Sequence, residues 1–176
     1  MWERLPIPTV VAVQGLCMGG GFELAIRSDI IFAGASARFG HPEQTLGIVT
    51  MLGGIQRIAD RAGKAFAMEM ALTSEQVPAR TMMDRGLVNR VVADEALLAE
   101  ATAFARRLAD GPTRAHVAHK VLLRIWADGG VAAADGALLD IALPLFESED
   151  VRSALPAAVE AFKAGLPRPA FDFKGG

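Results

Sequence analysis

Apolar and polar residues alternate differently in the two halves of the chain, and the first half is made of short apolar runs. Val10–Val13 and residues 29–33 are apolar runs of strand length, and polar residues or glycines bound them. Such runs predict buried strands. A short strand is also predicted at Arg38–Gly40, and another at 87–92. We therefore expect strands followed by helices in the first half of the chain.

Apolar residues at helical spacing, interrupted by glycines and capping residues, predict the helices. We expect them at 55–62, 64–72, 79–85, 94–109, 112–128, 131–146 and 149–164. The pair Gly129-Gly130 predicts a stop between two of them, and Ser148 is the predicted N-cap of the last. The pattern therefore predicts two modules, a strand–helix core over residues 1–93 and a helical extension over 94–176. We expect the apolar faces of the extension to pack against other subunits.

A glycine-rich segment follows the first predicted strand. Gly19, Gly20 and Gly21 have no Cβ to hold a ligand away from the backbone, and helical spacing resumes at Phe22. Free N–H groups at a helix start suit an anion or a developing oxyanion. A tight structural turn is the alternative. The segment has neither the G-x-G-x-x-G pattern of dinucleotide sites nor the Gly-Lys-Ser/Thr of a phosphate-binding loop.

Two glutamates, Glu23 and Glu43, lie beside this segment and beside a proline-bearing loop. Two carboxylates around one water can act as a general acid–base pair. The alternative is that both are surface charges. His41, next to Pro42, is a residue that either contacts a ligand or makes a structural hydrogen bond within its loop.

Other reactive residue types give weaker signals. Cys17 is expected to be a small buried residue and not a nucleophile, because no histidine lies near it in the sequence. His116 and His119 are three residues apart on a predicted helix, but a third ligand is not evident, so no metal site is predicted.

Composition excludes some partners. The chain has 176 residues, is 52% hydrophobic and 22% charged, and has a formal net charge of −2, so it lacks the basic surface that nucleic acid requires. We expect no apolar run long enough to span a bilayer, no polybasic segment for a membrane surface, and no signal peptide at the start. A single cysteine fits a reducing compartment, so a cytoplasmic location is expected.

Several ordered motifs resemble the enoyl-CoA hydratase/isomerase (crotonase) family. The matching segments are 8–25, 28–33, 37–43, 53–57, 63–65, 85–92 and 148–152. The resemblance implies an α/β fold, a crotonase-like ββα spiral core, here N-terminally truncated, with a helical C-terminal extension. It also implies a homo-oligomer, as a trimer or a dimer of trimers, that binds an acyl-CoA thioester. No separate cofactor is expected, since the substrate carries coenzyme A.

The resemblance also assigns residues to the site. Gly20 would donate its N–H to the thioester oxygen, as part of an oxyanion hole, and Glu23 and Glu43 would be catalytic. Substrate-binding positions would be Leu16, Gly19, Gly20, Pro42 and Met51. Hydratases of the family use both glutamates, whereas its isomerases commonly keep the one matching Glu43. We therefore expect an enoyl-CoA hydratase-type lyase, and the alternatives are an enoyl-CoA isomerase or a non-catalytic truncated subunit.

Two departures from the family pattern qualify this expectation. Thr50-Met51 replaces the family's proline-glycine pair, so the Met51 side chain is expected to narrow the pocket while its N–H remains. The family's chain is also longer at its front, where the second oxyanion donor and most of the adenine pocket would lie. The chain alone is therefore expected to hydrate crotonyl-CoA poorly or not at all.

Overall fold

The computed structural model describes residues 2–175, which form an α/β fold with six strands and seven α-helices. The strands are β1 (Val10–Val13), β2 (Leu16–Met18), β3 (Ile30–Gly34), β4 (Arg38–Gly40), β5 (Val77–Pro78) and β6 (Arg90–Val92). The helices are α1 (Gly20–Ala25), α2 (Gly54–Ala62), α3 (Lys64–Thr73), α4 (Ala79–Asp84), α5 (Leu97–Ala109), α6 (Thr113–Ala142) and α7 (Glu149–Lys163). Four 3₁₀ turns are added at Trp2–Arg4, Pro42–Leu46, Asp94–Ala96 and Leu143–Glu147.

The first four strands alternate between two three-stranded sheets, and β5 then joins the second sheet and β6 the first. The order β1-β3-β6 makes one sheet, with both pairings parallel, and β2-β4-β5 makes the other, in which only the β4–β5 pairing is antiparallel. The chain passes from β1 to β2 through Gly15, whose φ of 65° is readily adopted only by glycine. A strand from each sheet followed by a helix gives the ββα order predicted for the core.

The central strand of the first sheet, β3, is buried on both faces, which explains its continuous apolar sequence. Ile31 and Ala33 of β3 belong to the main core, together with Phe22 of α1. Phe32 points to the opposite face and packs against Leu97 and Ala101 of α5. Because successive side chains of β3 point to opposite faces, this strand packs against helices on both sides of the sheet.

The described residues form two compact units. One comprises residues 2–5 and 9–105, and the other comprises 6–8 and 106–175. Most of α5 belongs to the first unit because its apolar face covers Phe32, and the Phe104 ring lies 5.3 Å from the Phe32 ring. The division between the compact units therefore falls later in the chain than the predicted division at residues 93 and 94.

The second unit consists largely of α6 and α7. Gly130, at φ 77° and ψ −176°, interrupts α6 at the predicted glycine pair, and helical structure continues beyond it. Ser148 is the N-cap of α7, as predicted, and its hydroxyl accepts the Val151 N–H at 3.2 Å. Lys120 Nζ donates to the Ile7 carbonyl at 2.7 Å, which attaches residues 6–8 to this unit.

One segment of the second unit contradicts the expectation that no apolar run could span a bilayer. Thr113–Glu147 is 35 residues long, and its mean hydropathy over an 18-residue window is 1.4, so by length and composition it could cross a membrane. One such helix is weak evidence for a span, because a helix whose apolar face packs against another protein surface has a similar composition.

Candidate active site

The candidate site lies where two adjacent parallel strands end. β2 and β4 pair in parallel with Met18 opposite Gly40, so the next residues, Gly19 and His41, start side by side. The Gly19 N–H donates to the Gly40 carbonyl at 3.0 Å, which continues the pairing by one step. The strand register therefore brings the glycine loop and the proline-bearing turn together, although the two segments are far apart in sequence.

The glycine loop places free N–H groups beside a carboxylate. Gly19 has φ 52°, in the region that favours glycine, and a Cβ there would lie 3.1 Å from Glu43 Oε1. Gly20 begins α1 and is exposed, and the first N–H groups of a helix have no acceptor within it. The loop can therefore present an N–H donor to an oxygen atom next to Glu43.

Glu23 is buried, and backbone N–H groups hold its carboxylate. Its Oε1 accepts from Leu52 and from Gly54, each at 2.8 Å, and its Oε2 accepts from Met51 at 3.2 Å. Only 2% of the residue is exposed. A carboxylate offers about four acceptor positions, so roughly one remains, on Oε2. Glu23 thus fixes the loop before α2 and keeps a single position for another donor.

The same loop is held from its other side by Arg27, whose guanidinium donates twice to the Leu52 carbonyl. Arg27 and Arg57 also pair with Glu3, at 3.0 Å and 2.7 Å. Burial raises the pKa of Glu3, but the adjacent guanidinium groups of Arg57 and Arg27 outweigh it and leave that pKa below its ordinary value. An ion-pair cluster therefore supports the loop whose N–H groups bind Glu23.

Glu43 is held much less tightly than Glu23. It is the second residue of the Pro42–Leu46 turn, and its side chain is 13% exposed. Among residues 2–175, its buried Oε2 has no hydrogen-bond partner, and it lies 3.5 Å from Nδ1 of His41. That distance is longer than a normal hydrogen bond. Glu43 is therefore the carboxylate that remains available to exchange a proton.

His41 is buried inside this arrangement. Its ring stacks on Phe22, with centroids 4.9 Å apart, and a Cβ on Gly54 would lie 2.7 Å from its Cε1. Within the described part of the chain, neither ring nitrogen has a hydrogen-bond partner. Burial lowers the pKa of His41 from its usual value, while the charges of Glu43 and Glu23 act in the opposite direction.

The positions predicted to bind substrate occupy different surroundings. Leu16 is an exposed residue of β2, opposite Arg38. Pro42 lies close to Gly19, since its Cδ is 3.8 Å from the position of a Cβ there. Met51 is 79% exposed, and its N–H, expected to remain for substrate, is donated to Glu23. Sequence reasoning missed Leu52 and Gly54 as partners of Glu23, because donors from an irregular backbone leave no side-chain signal.

The remaining reactive residues lie outside this arrangement. Cys17 is half-buried, and burial raises the pKa of its thiol to about 11, so the thiol stays protonated at neutral pH. His119 is on the exposed side of α6, with Nδ1 2.7 Å from the Ala115 carbonyl oxygen. Over residues 2–175, the structure contains no group of three or more His, Cys, Asp or Glu side chains that could hold a metal ion.

Comparison with known proteins identifies relatives of this chain. The family model described as enoyl-CoA hydratase/isomerase matches residues 2–163. A Rhizobium meliloti protein named as a probable enoyl-CoA hydratase is 37% identical over 168 residues, which are 93% of this chain and 65% of that protein. The mitochondrial enoyl-CoA hydratase of Pongo abelii is 35% identical over 170 residues, which are 94% of this chain and 58% of that protein.

Solved structures agree with the fold. The crystal structure of an enoyl-CoA hydratase subunit I from Geobacillus kaustophilus superposes with a TM-score of 0.86 at 34% identity, over 99% of this chain and 66% of that one. The chain spans 65% of the length of the Rhizobium meliloti protein and 58% of the length of the Pongo abelii protein. The match to these structures confirms the predicted crotonase fold.

Proposed function

Because the chain belongs to the enoyl-CoA hydratase/isomerase family, we propose that it is an enoyl-CoA hydratase-type lyase, which adds water across the 2,3 double bond of an enoyl-CoA thioester. The observation that carries this proposal is the contrast between two neighbouring carboxylates. Glu23 is fixed by three N–H donors with one acceptor position left, whereas the Oε2 of Glu43, beside the glycine loop, accepts no hydrogen bond from residues 2–175. Relatives named as hydratases support the same reaction.

In this proposal, the Gly20 N–H donates to the thioester oxygen and stabilises the negative charge that develops there. The remaining position on Glu23 Oε2 accepts a hydrogen bond from the attacking water and orients it. The water oxygen bonds to Cβ, the π electrons move to Cα and the carbonyl oxygen, and the water's proton passes to Glu43. Glu43 then delivers that proton to Cα, so water has been added and the carboxylate is restored.

The direct test is the loss of enoyl absorbance when crotonyl-CoA is mixed with the purified chain. A matched set is the wild type, Glu43→Gln, and Glu100→Gln on the exposed side of α5. Because one oxyanion donor of the family pattern is not assigned to this chain, we expect only slow hydration by the wild type and by Glu100→Gln, and none above background by Glu43→Gln. Equal activity of all three would show that Glu43 does not take part, and would overturn the proposal.

One observation favours an isomerase as a second candidate. If the three N–H bonds to Glu23 are only structural, Glu43 is the single free carboxylate, and the family's isomerases commonly need just that one. Such an enzyme would move a proton from one carbon of a 3-enoyl-CoA to another without adding water. Turnover of a 3-enoyl-CoA to its 2-enoyl isomer, with no hydration of crotonyl-CoA, would select this candidate.

We also propose that the chain forms a homo-oligomer, either a trimer or a dimer of trimers, and that it binds an acyl-CoA thioester without a separate cofactor. The exposed apolar side chains of the second unit support the proposed assembly. Four large apolar side chains of this unit, those of Leu123, Val131, Leu139 and Phe162, are 62 to 85% exposed, and exposed apolar surface of this kind is typical of an interaction site between proteins. Sedimentation equilibrium at micromolar concentration tests the assembly, and a well-behaved monomer would contradict it.

A further inference from the structure

His41 has no role in the mechanism above, and its position is unusual for a histidine. The residue is 1% exposed and enclosed by the Phe22 ring on one side and the Gly54 backbone on another. Among the described residues, both of its nitrogens lack a hydrogen-bond partner. A buried polar group without a partner destabilises the fold, so such a group at a site indicates a functional requirement.

The unsatisfied atom nearest to His41 belongs to Glu43. Nδ1 of the ring and Oε2 of the carboxylate are 3.5 Å apart, and both are buried and unpaired within residues 2–175. A shift of about half an ångström would bring them to ordinary hydrogen-bond distance. The other carboxylate oxygen, Oε1, faces Gly19 in the glycine loop. The Glu43 carboxylate therefore reaches from the imidazole ring to the loop.

The backbone of His41 is fixed independently of this contact. The Ser74 hydroxyl donates to the His41 carbonyl at 2.9 Å. Ser74 has φ 56° and, over residues 2–175, is the only residue other than glycine with a positive φ. A left-handed serine is strained, and the bond from its hydroxyl helps to hold it there. The ring is thus anchored at its own backbone and packed on two sides.

We propose that His41 is a positioning residue, whose Nδ1–H donates to Glu43 Oε2 and keeps Oε1 turned toward the glycine loop, where the Cα of the acyl group would lie. This inference rests on the proposed function, because it assigns the proton transfer to Glu43. The contact would also restrict proton exchange to the face of the carboxylate that meets substrate. Nε2 remains next to Gly54 and takes no part in the transfer.

The surroundings of the ring determine how this positioning depends on pH. Glu43 faces it from the 3₁₀ turn and Glu23 from α1, and the uncharged Gly54 approaches it from α2. Ser74, which follows α3, bonds to the His41 carbonyl and not to the ring. Burial lowers the pKa of His41 from its ordinary value, against the charges of Glu43 and Glu23, and so favours the neutral ring. Below that pKa the imidazolium binds the carboxylate more strongly, Glu43 becomes a poorer base, and activity falls.

The first measurement needs no activity. His41, His116 and His119 are the three histidines, so their ring nitrogens can be assigned by ¹⁵N NMR in single variants. We expect the Nδ1–H tautomer of His41 in the wild type. In Glu43→Gln we expect a lower His41 pKa, because a neighbouring negative charge is removed. An unchanged pKa and tautomer in Glu43→Gln would overturn the proposal.

The second measurement is the pH profile of kcat/KM for hydration. His41→Asn keeps an N–H near the position of Nδ1 but does not titrate, and His41→Leu removes the donor. The acidic limb of the profile should move to lower pH in His41→Asn, and His41→Leu should lose up to about a hundredfold, as expected when a reacting group is misplaced by about 1 Å. His119→Asn, on the exposed side of α6, is the matched control and should leave the profile unchanged.

The two proposals fail in different ways. If Glu43→Gln abolishes hydration but His41→Leu retains wild-type kcat/KM with an unchanged acidic limb, only the positioning role is wrong. If no variant affects turnover, the proposed function is wrong, and the NMR result still decides whether His41 and Glu43 are paired. Should His41→Leu fail to fold, His41→Asn and the Glu43→Gln titration provide the decision.

Discussion

The segment around Glu23 and the segment around Glu43 begin at the ends of neighbouring parallel strands, yet they hold their carboxylates in opposite ways. Glu23 is buried in α1 and accepts three backbone hydrogen bonds. Glu43 is in a short 3₁₀ turn, and the oxygen that faces His41 has no partner among residues 2–175. The two glutamates thus differ in how many hydrogen bonds they can still accept, because backbone donors occupy most acceptor positions of Glu23 and none of Glu43 Oε2 among the residues described.

This difference indicates how work is divided in the proposed reaction. A carboxylate whose lone pairs are occupied can orient a water with the position that remains, but it is poorly placed to carry a proton between two atoms. A carboxylate with unoccupied lone pairs can carry a proton between two atoms. We therefore expect a substitution of Glu43 to lower activity with little effect on stability, and a substitution of Glu23 to lower both.

The largest effect is expected for Glu43→Gln in the proposed lyase. Its amide cannot accept and deliver the proton, so hydration and deuterium uptake at Cα of a saturated acyl-CoA should both fall by about a hundred- to ten-thousandfold. Stability to urea should change less than in Glu23→Gln, because within the described chain the Glu43 carboxylate has only the 3.5 Å contact with His41 and no backbone donor at its Oε2. A large loss of stability would show that Glu43 is also structural and would remove the contrast with Glu23.

Glu23→Gln should affect both properties. The amide nitrogen would face N–H donors instead of accepting from them, so we expect a loss of about 1–3 kcal/mol in the free energy of unfolding. Hydration should be lost while some Cα exchange survives, because Glu43 and Gly20 remain. Urea unfolding and deuterium exchange measured on the same preparation check this. Equal loss of exchange in the two single variants would contradict separate roles.

Gly54→Ala tests the packing between the two segments. Its Cβ would lie 2.7 Å from His41 Cε1 and 2.8 Å from Glu23 Cγ, so both must shift. We expect destabilisation of about 1–3 kcal/mol by overpacking, measured by urea unfolding. The control is Gly136→Ala in α6, where a Cβ meets nothing within 4 Å and should be neutral or stabilising. Similar results for both variants would show that Gly54 is not tightly packed.

The smallest effect concerns Glu3, which supports the loop bound by Glu23. Because its folded pKa is depressed, its contribution is present above the pKa of the unfolded chain, near 4.5, and is lost as the pH falls through the lower folded value. The group is partly exposed, so we expect Glu3→Gln to lose only a few tenths of a kcal/mol to about 1 kcal/mol at pH 7. The difference from the wild type should vanish in acid, and thermal unfolding at pH 7 and pH 3 measures it.

The sequence predicted much of the fold because its signals are local. The strand at Val10–Val13, the glycine pair at Gly130 and the cap at Ser148 follow from residue type and spacing, and all are present. β2 was missed because Leu16–Met18 is only three residues long and follows Gly15, a residue type that is typical of the end of a strand. That short strand is the one that fixes where Gly19 begins.

The site was harder to predict than the fold. Glu23 and Glu43 were identified as candidates, but the state of each depends on groups that the sequence does not mark. The donors to Glu23 are backbone N–H groups of residues 51, 52 and 54. The sequence does not distinguish between ligand contact and a loop hydrogen bond for His41. Only the structure shows that the ring is packed against Phe22 and Gly54 and that its nitrogens have no hydrogen-bond partner among the residues described.

The register of β2 against β4 determines which measurement can show that a preparation of this protein is correctly folded. Gly19 meets Glu43 only when Met18 is opposite Gly40. A slip of one residue would turn the side chains of β4 to the other face and bring buried Phe39 to the surface, but hydrogen bonds of the same kind could still form. Turnover would then report on correct strand alignment more sensitively than circular dichroism, which would register the same strand content in both cases.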